Sequence, residues 1–266
     1  MPYPFNLNNI TKQVIEVAKN AGNFIRNEQG NFSKSDIEEK EKNQFVTYVD
    51  KGAEKLIVDG LDDLIKDADF ICEEGTAQLQ NATYQWIIDP LDGTTNFLHG
   101  LPAYSVSIAL WHGNKGLLGV VYDVVHNKVY HAHIEGKAYC DGQLIQVSNT
   151  TNFEDSLNAT GFPYTDFSWS DNYLEFLKHL MKNTRGIRRF GSAALDLVWV
   201  AEGKVDVFYE QSLNAWDVAA GIIIAQQAGG KVSDFKGGND FLHGRNIVAS
   251  NGYLHQTFLE ALQQYV

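Results

Sequence analysis

An α+β fold of two intimately packed subdomains is what the sequence predicts, and three features of its patterning carry that expectation. Two helical patterns open the chain, a cluster of short β-rich runs follows from Asp69, and helices alternate with strands after about residue 146. No internal repeat or Pro/Gly-rich linker divides the halves, 1–145 and 146–266, so they are expected to form one functional unit.

Residues 7–29 place Ile10, Val14, Val17, Ala21 and Phe24 at intervals of three and four, an amphipathic helix that Gly30 ends. Between Asn31 and Asn43 almost no residue is apolar, which predicts an exposed, mobile loop. Helical spacing resumes over 50–67 through Ala53, Leu56, Ile57, Leu61, Leu64 and Ile65. The runs FIC, YQWII, SVSIALW, GLLGVVY and KVYHAHI, separated by turns such as HGNKG and DVVHNK, predict a sheet of antiparallel hairpins. Helical patterns over 172–182, 193–202, 217–228 and 254–264 then alternate with the strands VDVFYE, GKVSDF and NIVAS.

With 266 residues, 44% of them hydrophobic, the chain can bury a core unaided. Cys72 and Cys140 lack a paired spacing, which favours a reducing, cytoplasmic setting. The start of the chain has neither a basic segment nor an apolar run, and no stretch approaches the ~18 apolar residues of a membrane span. A soluble, unexported protein is expected. Asp and Glu number 33 against 21 Lys and Arg, a net charge of −12 that argues against binding nucleic acid or anionic lipid. A phosphate is not excluded, because divalent cations held by clustered carboxylates invert the local field.

Chemistry concentrates in four stretches. In Trp86-Ile87-Ile88-Asp89-Pro90-Leu91-Asp92-Gly93-Thr94-Thr95-Asn96-Phe97 an apolar strand ends in an acid. Pro90 keeps Asp89 out of helix and Gly93 permits a tight reversal, so Asp89, Asp92 and the Leu91 carbonyl can converge as hard oxygen ligands. Thr94 and Thr95 open a new segment whose free amides suit a phosphate. A turn and helix cap explain most Asp-Gly pairs, but not two acids, a proline and two threonines directly after a strand.

Asp217, in Ala215-Trp216-Asp217-Val218-Ala219-Ala220-Gly221, stands at a helix start and by itself reads as a cap. Its pairing with the first motif makes it a metal-ligand candidate. Glu73 and Glu74 follow the short strand at Cys72, where loop acids serve active sites. Asp50 ends Val46-Thr47-Tyr48-Val49-Asp50 before the second helix, where an N-cap is again the plain reading.

Together these residues resemble the inositol monophosphatase family, part of a lithium-sensitive superfamily that includes fructose-bisphosphatases and phosphatases of phosphorylated nucleotides. WIIDPLDGTTNF is similar to one family signature and AWDVAAG to the other, with EEG, VTxxD, RRFGSAALDL and RNIVASN in family order. The resemblance implies a layered αβαβα sandwich and an Mg²⁺-dependent phosphatase with two or three ions, forming a homodimer. It further implies that Glu73, Asp89 and the Leu91 carbonyl bind one ion while Asp89, Asp92 and Asp217 bind a second. Glu73 also helps to hold a third, and Asp50 and Thr94 activate water. Asp92, Gly93, Thr94, Ala193 and Glu210 are implied in substrate binding, with Glu210 facing the alcohol's hydroxyls. Gln44 departs from the family's usual Asp, which bears on the third ion and on whether Lys40 or Lys42 serves as the loop lysine.

Inositol 1-phosphate is the leading substrate, with NADP 2′-phosphate and fructose 1,6-bisphosphate as alternatives. A noncatalytic regulator is the reading from another class. Two weaker features complete the survey. His131 and His133 share one strand face and are expected on a solvated or subunit-facing surface, and Arg185, Arg188 and Arg189 form a basic cluster suited to solvent, a subunit contact or a second phosphate.

Overall fold

The first helix, α1, spans Leu7–Glu28 and starts where the Asn6 side chain accepts the Asn9 amide at 2.9 Å. Ile10, Val14, Ala18, Ala21 and Ile25 form its buried stripe. In the computed structural model residues 3–31, 37–41, 44–66, 68–75, 82–162 and 167–266 are described, those of 37–41 and 44–46 by backbone alone. Within the expected loop, β1 (Ile37–Glu41) and β2 (Gln44–Thr47) pair as an antiparallel ladder. Backbone pairing needs no apolar pattern, so its sequence concealed it. Helix α2 covers Tyr48–Leu61 with Thr47, not Asp50, as N-cap. It stops short of residue 67 because Leu64 and Ile65 reach the same core from a turn.

A seven-stranded sheet follows in sequence order: β3 (Asp69–Cys72), β4 (Tyr84–Asp92), β5 (Ser105–His112), β6 (Lys115–Asp123), β7 (Lys128–His133), β8 (Tyr139–Cys140) and β9 (Gln143–Leu144). The short helix α3 (Thr94–His99) lies between β4 and β5. From β4 onward the pairing is antiparallel as expected, but β3 runs parallel to β4, with Asp69 opposite Gln85.

The remaining elements are β10 (Leu157–Thr160), α4 (Ser170–Asn183), β11 (Gly186–Arg188), α5 (Ala193–Ala201), β12 (Val207–Gln211), α6 (Ala215–Gln227), β13 (Lys231–Ser233), β14 (Asn246–Ser250) and α7 (His255–Leu262). The five strands form a mixed sheet in the order β11-β10-β12-β14-β13. Strands β10 and β11 were not expected, since one is half polar and the other only three residues long.

Three apolar clusters define the layers. Helices α1 and α2 cover one face of the large sheet, α5 and α6 fill the space between the sheets, and α4 and α7 cover the outer face of the small sheet. This is an αβαβα sandwich. Helix α6 buries Ile222, Ile223 and Ile224 together because it packs on all sides, which removes the usual polar face. Among the described residues no helix is long and apolar enough to cross a membrane.

Candidate active site

The site begins with an irregularity in β4. Asp89 lies opposite Ser107 and Asp92 opposite Ser105, so three steps along β4 match two along β5. In a regular strand residues three apart point to opposite faces. The extra residue restores Asp89 and Asp92 to one face, and Pro90 is tolerated because a bulge needs no ladder donor there. Leu91 turns into the opposite core, while its amide donates to Asp89 Oδ1 at 3.0 Å.

Other acids reach this point from separate elements. Glu73 follows β3, where its amide extends the ladder to the Ile88 carbonyl at 3.3 Å, and its carboxyl hydrogen-bonds that of Asp89. Asp92 Oδ2 accepts from Ser192 Oγ at 2.6 Å and from the Ala194 amide at 2.7 Å, which ties β4 to the start of α5. Asp217 is the third residue of α6, and its Oδ2 accepts the Asn214 amide at 2.6 Å in a capping box. The plain cap reading thus holds for one oxygen of Asp217.

Burial pushes Asp89 well above the carboxylate range, and the neighbouring Glu73, Asp92 and Asp217 push it further. Burial also raises Asp92 to about 6, against the hydrogen bonds from Ser192 and Ala194. Asp217 is raised to about 8 by desolvation and by Asp92. Among the described residues no group of three or more His, Cys, Asp or Glu is already set to hold a metal ion. The donor chemistry nevertheless fits a hard cation. Glu73 and Asp89 must share a proton to lie in contact, and a divalent ion bound by oxygens relieves that crowding in the proton's place.

Beside the acids stands a second constellation. Thr47 and Asp50 form the capping box of α2: Asp50 Oδ2 accepts the Thr47 amide at 2.8 Å and the Thr47 hydroxyl at 2.7 Å. Thr94 Oγ1 lies 3.0 Å from both Asp50 Oδ1 and the Leu91 carbonyl oxygen, and its single proton satisfies one of them. Burial raises Asp50 against the bonds from Thr47 and Thr94. Gly93 caps α3 with φ of 95°, and a Cβ there would stand 2.8 Å from the Ala103 carbonyl oxygen and 3.1 Å from that of Gly191. Gly93→Ala is therefore expected to cost ~2–4 kcal/mol, since it combines a left-handed backbone with a clash against fixed carbonyls. Denaturant unfolding checks this; a loss below ~1 kcal/mol would show that the turn relaxes.

A further acid comes from the small sheet. Glu210 on β12 is buried, and a Cβ on Gly161 would lie 1.9 Å from its Oε1, so only glycine lets it occupy this place. Burial raises Glu210 to about 8, opposed by Arg189 and reinforced by Asp92. Ala193 opens α5 beside Ser192. Of the three arginines, Arg185 pairs with Asp155 at 2.9 Å and Arg188 donates to the Ile187 carbonyl, whereas Arg189 bears on Asp92, Asp196 and Glu210. His131 and His133 are half-buried on the shared face of β7. Their Nδ1 atoms are buried without hydrogen-bond partners among the described residues, and the His131 ring stacks on Tyr139 at 5.4 Å. The side chains of Gln44, Lys40 and Lys42 lie outside the described residues.

Three supporting residues escaped the sequence analysis. Glu54, fully buried in the apolar stripe of α2, accepts the Glu74 amide at 2.7 Å and fixes the loop carrying Glu73. Asn96 donates to the Ala103 and Phe190 carbonyls, both at 2.7 Å, and Ser192 holds Asp92. An acid among Ala53, Ile57 and Leu61 was the readable signal for Glu54; Asn96 and Ser192 offered none beyond membership of a quoted motif.

Two large sheets, three helical layers and carboxylates that converge from the end of β3, from β4 and from α6 define the class of protein. The inositol monophosphatase family profile matches residues 6–266, and the chain belongs to that family. It is 40% identical over 263 residues to a putative Nus factor SuhB of Neisseria meningitidis serogroup B, covering 98% of this chain and 100% of that one. It is 34% identical over 252 residues to an inositol-1-monophosphatase of Mesorhizobium japonicum, covering 94% and 95%. An inositol monophosphatase structure from Anabaena superposes with a TM-score of 0.87 at 34% identity, covering 98% of each chain.

Proposed function

We propose that this protein hydrolyses a small polyol phosphate with the aid of Mg²⁺, inositol 1-phosphate being the leading substrate. The observation that supports this best is the crowding of Glu73, Asp89, Asp92 and Asp217 beside the Asp50–Thr94 pair. Glu73, Asp89, Asp92, Asp217 and the Leu91 carbonyl are the proposed metal ligands. When bound, Mg²⁺ neutralises phosphate charge and acidifies water, the two requirements of an in-line displacement on a dianion. Thr94 Oγ1 and Asp50 Oδ1 orient the attacking water, and the buried Asp50 accepts its proton. The amides of Gly93 and Thr94 at the start of α3 receive phosphate oxygens, with Ala193 lining the opposite wall. Glu210 accepts hydrogen bonds from the alcohol's hydroxyls, and a homodimer is part of the same reading.

The test measures turnover of inositol 1-phosphate, fructose 1,6-bisphosphate and NADP with Mg²⁺, with EDTA and with lithium. Activity on the first that EDTA abolishes and lithium inhibits is expected; full activity after exhaustive chelation would refute the metal. The name Nus factor, borne by a relative 40% identical, favours a second reading as a noncatalytic partner, and absence of turnover on every phosphate would favour it. Glu210→Gln is expected to lower kcat/KM for inositol 1-phosphate by ~10–100-fold more than for phenyl phosphate, because only the polyol leaves hydroxyls unpaired. Equal losses on both would move Glu210 into the phosphate machinery.

A further inference from the structure

Among the described residues, four other than glycine have a left-handed backbone. Asn127 and Asp141 are of types that tolerate it and turn the hairpins β6–β7 and β8–β9. Ser212 (φ 71°) and Arg245 (φ 62°) are not of such types, and they face each other one step beyond the last rung of the β12–β14 ladder, where Gln211 stands opposite Asn246. Strain of this kind persists only where the surroundings impose it. Here they do. The Arg245 carbonyl accepts the Ser212 amide at 2.7 Å and the Leu213 amide at 3.2 Å, and Arg245 Nη2 donates to the Ser212 carbonyl at 3.0 Å. Both backbone groups of Ser212 thus end on one residue. Arg245 is fixed in turn by Asn246, whose side chain donates to the Gly244 carbonyl at 2.9 Å and accepts the Phe235 amide at 2.8 Å.

The clamped turn joins two acids of the site. Glu210 precedes it on β12, a strand held on both sides by β10 and β14. Asn214 ends it as the cap of α6, where its amide donates to Asp217 Oδ2 at 2.6 Å. We infer that Arg245 is a positioning residue that holds the Ser212–Asn214 turn in its strained form and thereby fixes where Asp217 stands relative to Glu210. Without the guanidinium the Ser212 carbonyl loses its partner, and rotation of the Ser212–Leu213 peptide relieves the left-handed backbone. The Asn214 cap and the carboxylate it binds then move, while Glu210 stays in its strand. This inference rests on the role of Asp217 as a metal ligand in the proposed function.

Arg245 is exposed, so its replacement leaves the core intact. Arg245→Ala removes the guanidinium and Arg245→Lys keeps a donor. Amide hydrogen exchange in the metal-free protein reads the clamp without turnover: exchange at Ser212, Leu213 and Asn214 is expected to rise ~10-fold or more in Arg245→Ala, with that of α1 unchanged. Mg²⁺ affinity measured by calorimetry is expected to fall ~10-fold or more in Arg245→Ala and less than ~3-fold in Arg245→Lys. Charge works the other way, since Arg245 bears on Asp217 and loss of a neighbouring positive charge by itself favours a cation. A fall therefore reports the lost hold. Unchanged exchange at the turn would overturn the inference, and so would an unchanged Mg²⁺ affinity in an Arg245→Ala protein of lower Tm, the mark of a purely structural contact. Equal losses in Arg245→Lys and Arg245→Ala would show that the donor is not what holds the turn. Should the wild type bind no Mg²⁺, the proposed metal site fails, while the exchange result still decides whether Arg245 holds the turn.

Discussion

Asp89→Asn is expected to lower kcat on any phosphate monoester by at least ~100-fold while making the metal-free protein more stable, not less. The two effects have one cause. Asp89 is buried among Glu73, Asp92 and Asp217, all of which oppose its ionisation. An asparagine of the same shape still accepts the Leu91 amide through its oxygen, now held at 3.0 Å, and removes a group whose ionisation the crowd opposes. Without metal that relieves repulsion; with metal it removes the carboxylate proposed to bridge two ions. Asp217→Asn sharpens the contrast. Asparagine can retain the capping bond to the Asn214 amide, so a residue that is merely a cap should lose at most ~1 kcal/mol of stability and keep its turnover. A metal ligand should lose turnover and keep its stability. Urea unfolding and steady-state rates on the same preparations decide between them, and near-normal kcat in Asp89→Asn would remove the proposed metal site.

The parts of this site that could be read from the sequence are those carried by unusual local chemistry. Asp89, Asp92 and Gly93 stand out because acids, a proline and a glycine directly after an apolar strand have no simple structural explanation, and β4 does bulge there. Helix α1 was legible because its faces differ, and β5 to β7 because short runs rich in apolar and β-branched residues, bounded by turns, mark strands even where both faces are buried. Strand β10 was not, because half of it is polar: Asn158 donates to Ser156 beside it, and Thr160 hydrogen-bonds Tyr173 and the Tyr209 carbonyl in distant segments. Asp196 was equally silent. Within Ala193–Ala201 it resembles any acid in a helix's first turn, and only the packing of α5 between two sheets makes it a buried one.

Without divalent cations the protein is expected to lose stability as pH rises from about 6.5 to about 8.5, by several kcal/mol in all, and Mg²⁺ is expected to cancel the part of the fall that comes from Asp217. Asp217 goes from an ordinary value of 3.8 to about 8 on folding, and Glu210 from 4.5 to about 8. With the folded value raised, their favourable contribution is complete below the unfolded value and disappears as pH rises through the folded one. The window starts at about 6.5 for a reason. His255 is buried and lowered from 6.5 to about 4, so it contributes stability above 6.5 that is lost as pH falls, masking the carboxylates in acid. The upper limit avoids Cys72, whose burial raises it from 9.0 to about 12 and adds a loss of its own only in alkali. Mg²⁺ displaces the proton that Asp217 retains, so its stabilisation, ~2.7 kcal/mol at a hundredfold excess over Kd, should grow with pH across this interval. Urea midpoints measured with EDTA and with Mg²⁺ at both ends of the window test this. A metal-free midpoint that rises with pH, or one that Mg²⁺ leaves unmoved at about pH 8.5, would show that these carboxylates are not held crowded for a cation.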